Sequence, residues 1–96
     1  MSDKLFVNTV GQPIILETGE DLTGANVLKI KVKKPDNSKT EWVGSIYQTT
    51  KIKYVTVLND LNLSGNYKLQ SYVEFPDWRG TGETVELKVY NEFAKW

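Results

Sequence analysis

The chain has 96 residues, with twelve basic and twelve acidic side chains and with neither cysteine nor histidine. This length accommodates a single domain, expected over residues 1–96, and the balanced charge excludes the positive field that attracts nucleic acid or an anionic membrane. Without cysteine or histidine there is no disulfide, thiolate nucleophile, Ser-His or Cys-His pair, so we expect no cofactor, no metal, and no nucleic-acid or membrane partner.

Apolar and polar residues alternate in short runs that are separated by turn residues, which predicts β-strands. In chain order, the predicted strands cover residues 5–7, 13–17, 26–34, 40–47, 51–58, 66–75 and 83–93. No window has the apolar spacing of a sustained helix. About seven short strands with turns roughly every 8–12 residues are typical of a sandwich or small barrel. We therefore predict an all-β fold, an immunoglobulin-like antiparallel β-sandwich.

The stretch NLSGNYKLQ, residues 62–70, places a tyrosine just after a turn. Tyr67 follows Gly65 at the start of a late strand, which is the position of the tyrosine corner in immunoglobulin-like domains. There the hydroxyl bonds back to the preceding connection and the ring packs into the core, so we expect Tyr67 to be structural. Leu69 stands where an antibody domain has its second cysteine, and Trp42 is the candidate core tryptophan. The alternation adds Leu28, Ile30, Val32, Val85 and Leu87 to the predicted core.

The loop FPDWRG contains the best candidate for a partner contact. Trp78 and Arg79 are residue types favoured as interface anchors, and Asp77 precedes them. The favoured interpretation is nevertheless that Trp78 folds back over one end of the sandwich. If the loop is exposed, we expect Asp77, Trp78 and Arg79 to be partner-binding residues.

Two other segments have a simpler structural explanation. Glu17, Glu20 and Asp21 lie close together, but we expect solvated turn residues, with Asp21 capping a turn, because a domain this small has little interior for a catalytic cleft. The run RGTGET, residues 79–84, contains glycine and threonine as phosphate-binding loops do. A strand and not a helix is predicted after it, so we expect a hairpin loop instead.

Lysines recur at alternate positions of the predicted strands. If those strands were neighbours, a basic stripe would form from Lys29, Lys31, Lys33, Lys34 and Lys39, with Lys51 and Lys53. Alternating lysines also keep a sheet soluble and protect an edge strand against aggregation. Because the net charge is zero and no surface aromatics are interleaved, the pattern favours this second role over nucleic-acid binding.

Short motifs extend over nearly the whole chain and resemble a known group of proteins. They comprise Gly11, Ile14, Leu16, Gly19, the run Asp21-Leu22-Thr23-Gly24-Ala25, Ile30, Val32, the run Lys34-Pro35-Asp36 and Trp42, and they continue through residues 54–93. On these residues the chain resembles small immunoglobulin-like proteins of tailed bacteriophages and prophages, and the similar N-terminal domain of phage baseplate and tail proteins. The resemblance implies a virion-associated or accessory structural module of the head, neck, tail or baseplate. It implies no catalytic residue.

We therefore expect a non-enzymatic protein that docks onto a larger phage structural protein, or self-associates, through end loops or an open edge strand. Residues 1–13 contain no apolar run long enough for a signal peptide, so the expected location is the virion or the host cytoplasm. The alternative is a carbohydrate- or cell-surface-binding module that uses surface tryptophan and tyrosine. An enzyme is the least favoured class.

Overall fold

The computed structural model describes residues 4–91, and these form eight β-strands. The strands are β1 (Leu5–Phe6), β2 (Pro13–Glu17), β3 (Val27–Lys33), β4 (Lys39–Val43), β5 (Ser45–Tyr47), β6 (Lys51–Val55), β7 (Gly65–Glu74) and β8 (Arg79–Tyr90). Within residues 4–91 there is no helix, and hence none long and apolar enough to cross a membrane. The predicted all-β fold is confirmed.

The strands form two sheets packed around one core. Sheet A has the order β1-β8-β7-β3-β4, and sheet B has the order β2-β6-β5. All neighbouring strands are antiparallel except β1, which runs parallel to the end of β8. The orders β4-β3-β7-β8 and β2-β6-β5 correspond to strands C′-C-F-G and B-E-D of immunoglobulin domains. The immunoglobulin-like sandwich is thus the observed architecture.

The core is built from the inward positions of both sheets, as the alternation predicts. Five of the predicted core residues are buried: Ile30, Val32, Trp42, Tyr67 and Leu69. Leu28 and Leu87 are partly buried and pack against this cluster. Sheet B closes the core from the other side with Ile14, Leu16 and Ile52.

The prediction that Val85 belongs to the core is wrong, because its side chain is exposed. Val85 lies opposite Leu69 and faces inward. However, β1 pairs β8 only at Val89 and Tyr90, so the earlier part of β8 is an open edge of sheet A. The three strands of sheet B do not cover that edge. The apolar alternation correctly predicts that Val85 lies on the inner face of sheet A. Whether its side chain is buried depends on whether the opposite sheet covers that position.

Trp42 is the core tryptophan, but it lies on β4 and not on the strand equivalent to C. Its ring stacks on Tyr54 of β6, with centroids 4.8 Å apart and planes at 13°. This contact joins sheet A to sheet B. The Trp42 indole N–H is buried without a hydrogen-bond partner, which is a cost that the stacking and burial of the ring must offset.

Tyr67 forms the predicted tyrosine corner at the start of β7. Its hydroxyl donates to the Leu63 carbonyl over 2.7 Å and accepts from the Leu63 N–H at 3.1 Å. Gly65 makes this corner possible, because its φ is +127° and a Cβ there would lie 2.9 Å from Pro35 Cβ. The corner therefore ties the end of the β6–β7 connection to the core ring of Tyr67.

The predicted strand over residues 40–47 is two strands, because the chain changes sheets at Gly44. β4 pairs with β3 in sheet A, whereas β5 pairs with β6 in sheet B. A Cβ at Gly44 would lie 2.4 Å from Ile52 Cγ2, so only glycine lets the crossing backbone pass so close to β6. Apolar alternation continues through Gly44 and does not signal this change of sheet.

The last strand begins earlier than predicted. Residues 79–84, expected to form a hairpin loop, belong to β8 and pair with β7. Gln70 faces Thr84 and Tyr72 faces Thr81, so β8 carries one extra residue and forms a bulge there. At its other end β8 stops at Tyr90, and residues 92–93 of the predicted strand lie outside the described part of the chain.

Candidate docking site

Trp78 is held in place by the turn between β7 and β8. The Phe75 N–H donates to the Trp78 carbonyl over 2.7 Å and closes the turn. The Trp78 ring stacks on Phe75, with centroids 5.2 Å apart and planes at 20°. Phe75 itself packs against the core, so the indole is anchored to the interior through one intermediate ring. Even so, 45% of Trp78 remains exposed.

The backbone at Gly80 provides space for the indole. A Cβ at Gly80 would lie 2.7 Å from Trp78 Cζ3 and 3.5 Å from Cε3. Any larger side chain would therefore push the indole away from the start of β8. Phe75 and Gly80 together fix the ring in one orientation while part of it faces solvent.

A polar cluster lies on the strands beside this ring. The Tyr72 hydroxyl donates to the Glu74 carboxylate over 2.7 Å, and Glu74 faces Arg79 directly across the sheet. The hydrogen bond to Glu74 raises the pKa of the Tyr72 hydroxyl, with a smaller contribution from desolvation. An acidic and a basic residue thus face each other across β7 and β8, next to the turn that carries the indole.

The structure places all three predicted partner-binding residues at this tip, and all are exposed. Asp77 and Trp78 lie in the turn, and Arg79 is the first residue of β8. The residues that sequence reasoning did not include are those that hold Trp78, namely Phe75 and Gly80. Phe75 is an inward position of the predicted strand and Gly80 follows the loop, but nothing in the sequence indicates that both contact the indole.

No known protein family, curated protein or solved structure matches this chain.

A second exposed apolar surface lies on the outer face of sheet B. Pro13 faces Val55 directly, and Ile15 and Val57 lie two residues further along the same strands or their continuation. All four are exposed, and we call them the sheet B patch. Lys53, opposite Ile15, has its ammonium 5.1 Å from the centre of the Tyr47 ring and supplies a charged border to the patch.

The predicted basic stripe exists only in part. Lys31, Lys33 and Lys39 lie together on the outer face of sheet A and, with Lys68 of β7, line a groove of about 670 Å³. Lys51 and Lys53 lie in sheet B and are not part of it.

Two further lysines of the predicted stripe have other partners. The Lys34 ammonium donates to the Asn59 carbonyl and the Asn62 side chain, at 3.1 and 2.9 Å, and so binds the β6–β7 connection. Lys29 forms an ion pair with Glu41 at 3.3 Å.

The acidic turn after β2 is organised by local hydrogen bonds. Asp21 accepts from the Thr23 N–H at 2.9 Å, the capping geometry expected for this residue, and that bond lowers the pKa of its carboxyl. The Gly19 N–H likewise bonds Glu17 and lowers the pKa of that carboxyl, with help from Thr50 and Lys51. Across residues 4–91, no three acidic side chains come close enough together to hold a metal ion.

Proposed function

We propose that this protein is a non-enzymatic docking module whose contact centre is the β7–β8 turn. The observation that carries the proposal is a tryptophan that is both anchored and exposed, stacked on Phe75 and 45% accessible. An exposed large aromatic side chain costs the free protein solubility. The exposed position of Trp78 in the β7–β8 turn is explained if another protein covers the ring.

The local chemistry supports protein recognition. Tryptophan and arginine are enriched among residues that dominate binding free energy, and Trp78 and Arg79 are adjacent. Because Phe75 and Gly80 already fix the indole, binding loses little side-chain entropy at this position. Asp77 and Arg79 provide charges of both signs at the rim, where they favour a matched partner over others.

The proposed partner is a larger structural protein of a tailed bacteriophage or prophage, and the proposed location is the virion or the host cytoplasm. This part rests on the resemblance of residues 11–42 and 54–93 to phage immunoglobulin-like proteins. An immunoglobulin-like sandwich with an anchor at one end fits an accessory part of a head, neck, tail or baseplate.

The second candidate is a carbohydrate- or cell-surface-binding module, which the exposed part of the Trp78 ring favours. Sugar-binding surfaces use open aromatic faces, however, and the tyrosines on the sheets have lysine ammoniums over their rings. Lys53 covers Tyr47 at 5.1 Å, and Lys31 covers Tyr72 at 4.5 Å. One face of Trp78 is covered by Phe75. These contacts weigh toward the protein partner.

The test is co-sedimentation of the tagged protein with tailed particles from the strain that encodes it, through a density gradient. We expect the wild-type protein in the particle band, Trp78→Ala largely absent from it, and Trp78→Phe partly retained. Ile46→Ala is the matched control, because Ile46 is 46% exposed but lies in sheet B.

Absence of the wild-type protein from the particle band, together with its retention on purified host cell-wall glycan, would favour the second candidate. Equal losses for Trp78→Ala and Ile46→Ala would contradict a docking role for the β7–β8 turn.

A further inference from the structure

β4 is an open edge of sheet A with a regular arrangement of unpaired backbone groups. It is the terminal strand of the sheet and pairs only with β3. Two backbone hydrogen bonds just beyond the ends of β4 show which of its residues bond to β3. The Gly44 N–H donates to the Leu28 carbonyl, and the Lys34 N–H donates to the Ser38 carbonyl. Since antiparallel ladders alternate, the backbone N–H and C=O groups of Lys39, Glu41 and Val43 point away from β3.

The side chains of these same residues lie on the outer face of sheet A. Lys39 faces Lys33, which faces Lys68, so three lysines stand in one row across the sheet. Like charges directly opposite each other destabilise a sheet. The neighbouring row begins with Glu41, which faces Lys31. The open side of Lys39 is therefore a position at which a carboxylate would relieve repulsion.

We propose that β4 pairs with β4 of a second copy of this chain, antiparallel and centred on Thr40. In this register Lys39 of each copy faces Glu41 of the other, and the outward N–H and C=O groups of these residues exchange hydrogen bonds. The sequence Lys39-Thr40-Glu41 is thus self-complementary, as a two-fold interface requires. The two A sheets become one continuous sheet with their outer faces on the same side.

The charges of Lys39 and Glu41 favour this register over the two registers that are shifted by one residue. Shifting the centre to Lys39 places two lysines opposite each other, and shifting it to Glu41 places two carboxylates opposite each other. In the Thr40-centred register, Glu41 stands in one row between Lys31 of its own copy and Lys39 of the other. The existing Lys29–Glu41 ion pair is solvent-exposed and therefore too weak to hold Glu41 back.

The other open edges are less suited to pairing, and β5 offers only three residues. β2 begins with Pro13, which has no N–H to donate. The open part of β8 carries the bulge opposite Gln70 and Tyr72, and a bulge twists an edge away from a flat partner.

In this register only Lys39, Thr40 and Glu41 of the five-residue β4 face the other copy's β4, which buries much less than a standard interface, so the association is weak. We expect dissociation constants of about 0.1–1 mM, which still matter where copies are held close together, as when several bind one assembly. The inference concerns the β4 edge of sheet A, which β3 separates from β7, whereas Trp78 lies in the turn between β7 and β8. It therefore holds or fails separately from the docking role of the β7–β8 turn.

The experiment is sedimentation velocity of the purified protein from about 10 µM to 1 mM at low salt. We expect the sedimentation coefficient of the wild type to rise with concentration. For Lys39→Glu and for Glu41→Lys it should stay at the value of the monomer. The double variant Lys39→Glu/Glu41→Lys restores opposite charges across the two-fold and should associate again. Salt at about 1 M shortens the Debye length to roughly 3 Å and should weaken the association.

Amide exchange by NMR locates the contact and shows that each variant is folded. Raising the concentration should slow exchange at Lys39 and Glu41, while Thr40 and Trp42, whose amides face β3, should not change. A wild type that stays monomeric to 1 mM overturns the proposal. So does association of either single variant at wild-type strength, or a double variant that remains folded but monomeric.

Discussion

Leu69 and Val85 lie directly opposite each other on β7 and β8, yet Leu69 is 2% exposed and Val85 is 47% exposed. Both side chains face inward. The difference arises because β8 lies at the open edge of sheet A before β1 joins it at Val89. Position in the sheet, and not the face alone, decides how much each residue contributes to stability.

This relationship predicts unequal costs for the same substitution on one strand. Val89 is almost completely buried, so Val89→Ala should lower the free energy of unfolding by about 2–3 kcal/mol. Val85→Ala should cost well under about 1 kcal/mol, because half of the removed surface is already in water. Urea unfolding measures both. Equal losses would show that the first half of β8 is covered.

The tyrosine corner predicts a large effect from a single oxygen atom. Tyr67→Phe leaves the N–H and C=O of Leu63 without their partner in a partly buried position, so it should cost about 2–3 kcal/mol. Tyr47→Phe is the control, because that residue lies on the outer face of sheet B and should change stability by less than about 0.5 kcal/mol. Thermal unfolding followed by circular dichroism compares the two. A Tyr67→Phe variant as stable as the control would contradict the corner.

Gly65 should tolerate no side chain. Gly65→Ala adds a Cβ that would lie 2.9 Å from Pro35 and requires a φ of +127°, so we expect a loss of about 2–4 kcal/mol. The double variant Gly65→Ala/Pro35→Ala removes the contact but not the unfavourable φ. It should recover only part of the lost stability in chemical denaturation. Full recovery would mean that the close approach to Pro35 alone demands glycine.

Stability should fall at high pH because of Tyr54. Desolvation and the hydrogen bond to the Asp60 carboxylate raise the pKa of Tyr54 to about 12, compared with 10.0 for a free tyrosine. The unfolded chain therefore loses this proton first. The contribution to stability is complete below pH 10 and disappears as the pH rises from 10 to 12. It amounts to about 1–2 kcal/mol after solvent screening.

The check is urea unfolding between pH 9 and 12 for the wild type and for Tyr54→Phe. The variant should be about 1 kcal/mol less stable at neutral pH, because it loses the bond to Asp60. It should also lose stability less steeply above pH 10, and the remaining slope should come from Tyr67 and Tyr72, whose pKa values are also raised. Identical slopes would contradict the assigned role of Tyr54.

Sequence patterns correctly predicted the structural features that depend only on residues close together along the chain. The alternation in residues 26–34 gave the inward positions Ile30 and Val32, and the spacing of Gly65 and Tyr67 gave the corner. Gly44 shows where such reasoning stops. It lies inside one alternating run, and only its contact with Ile52 of another strand reveals that the chain changes sheets there.

The candidate site was predicted to a similar extent. Residue type and the turn pattern selected Asp77, Trp78 and Arg79, and all three lie at one exposed tip. The stacking of Trp78 on Phe75 and the space above Gly80 depend on how the turn closes, which no residue spacing encodes. The pairing of Lys33 with Lys39 and Lys68 likewise follows from strand register and not from the sequence alone.

The proposed docking role of the β7–β8 turn is tested most directly by hydrogen–deuterium exchange of the protein with and without tailed particles from the encoding strain. The account predicts that bound particles slow exchange at residues 75–80, around Trp78. Protection confined to the sheet B patch, with residues 75–80 exchanging as in the free protein, would contradict it.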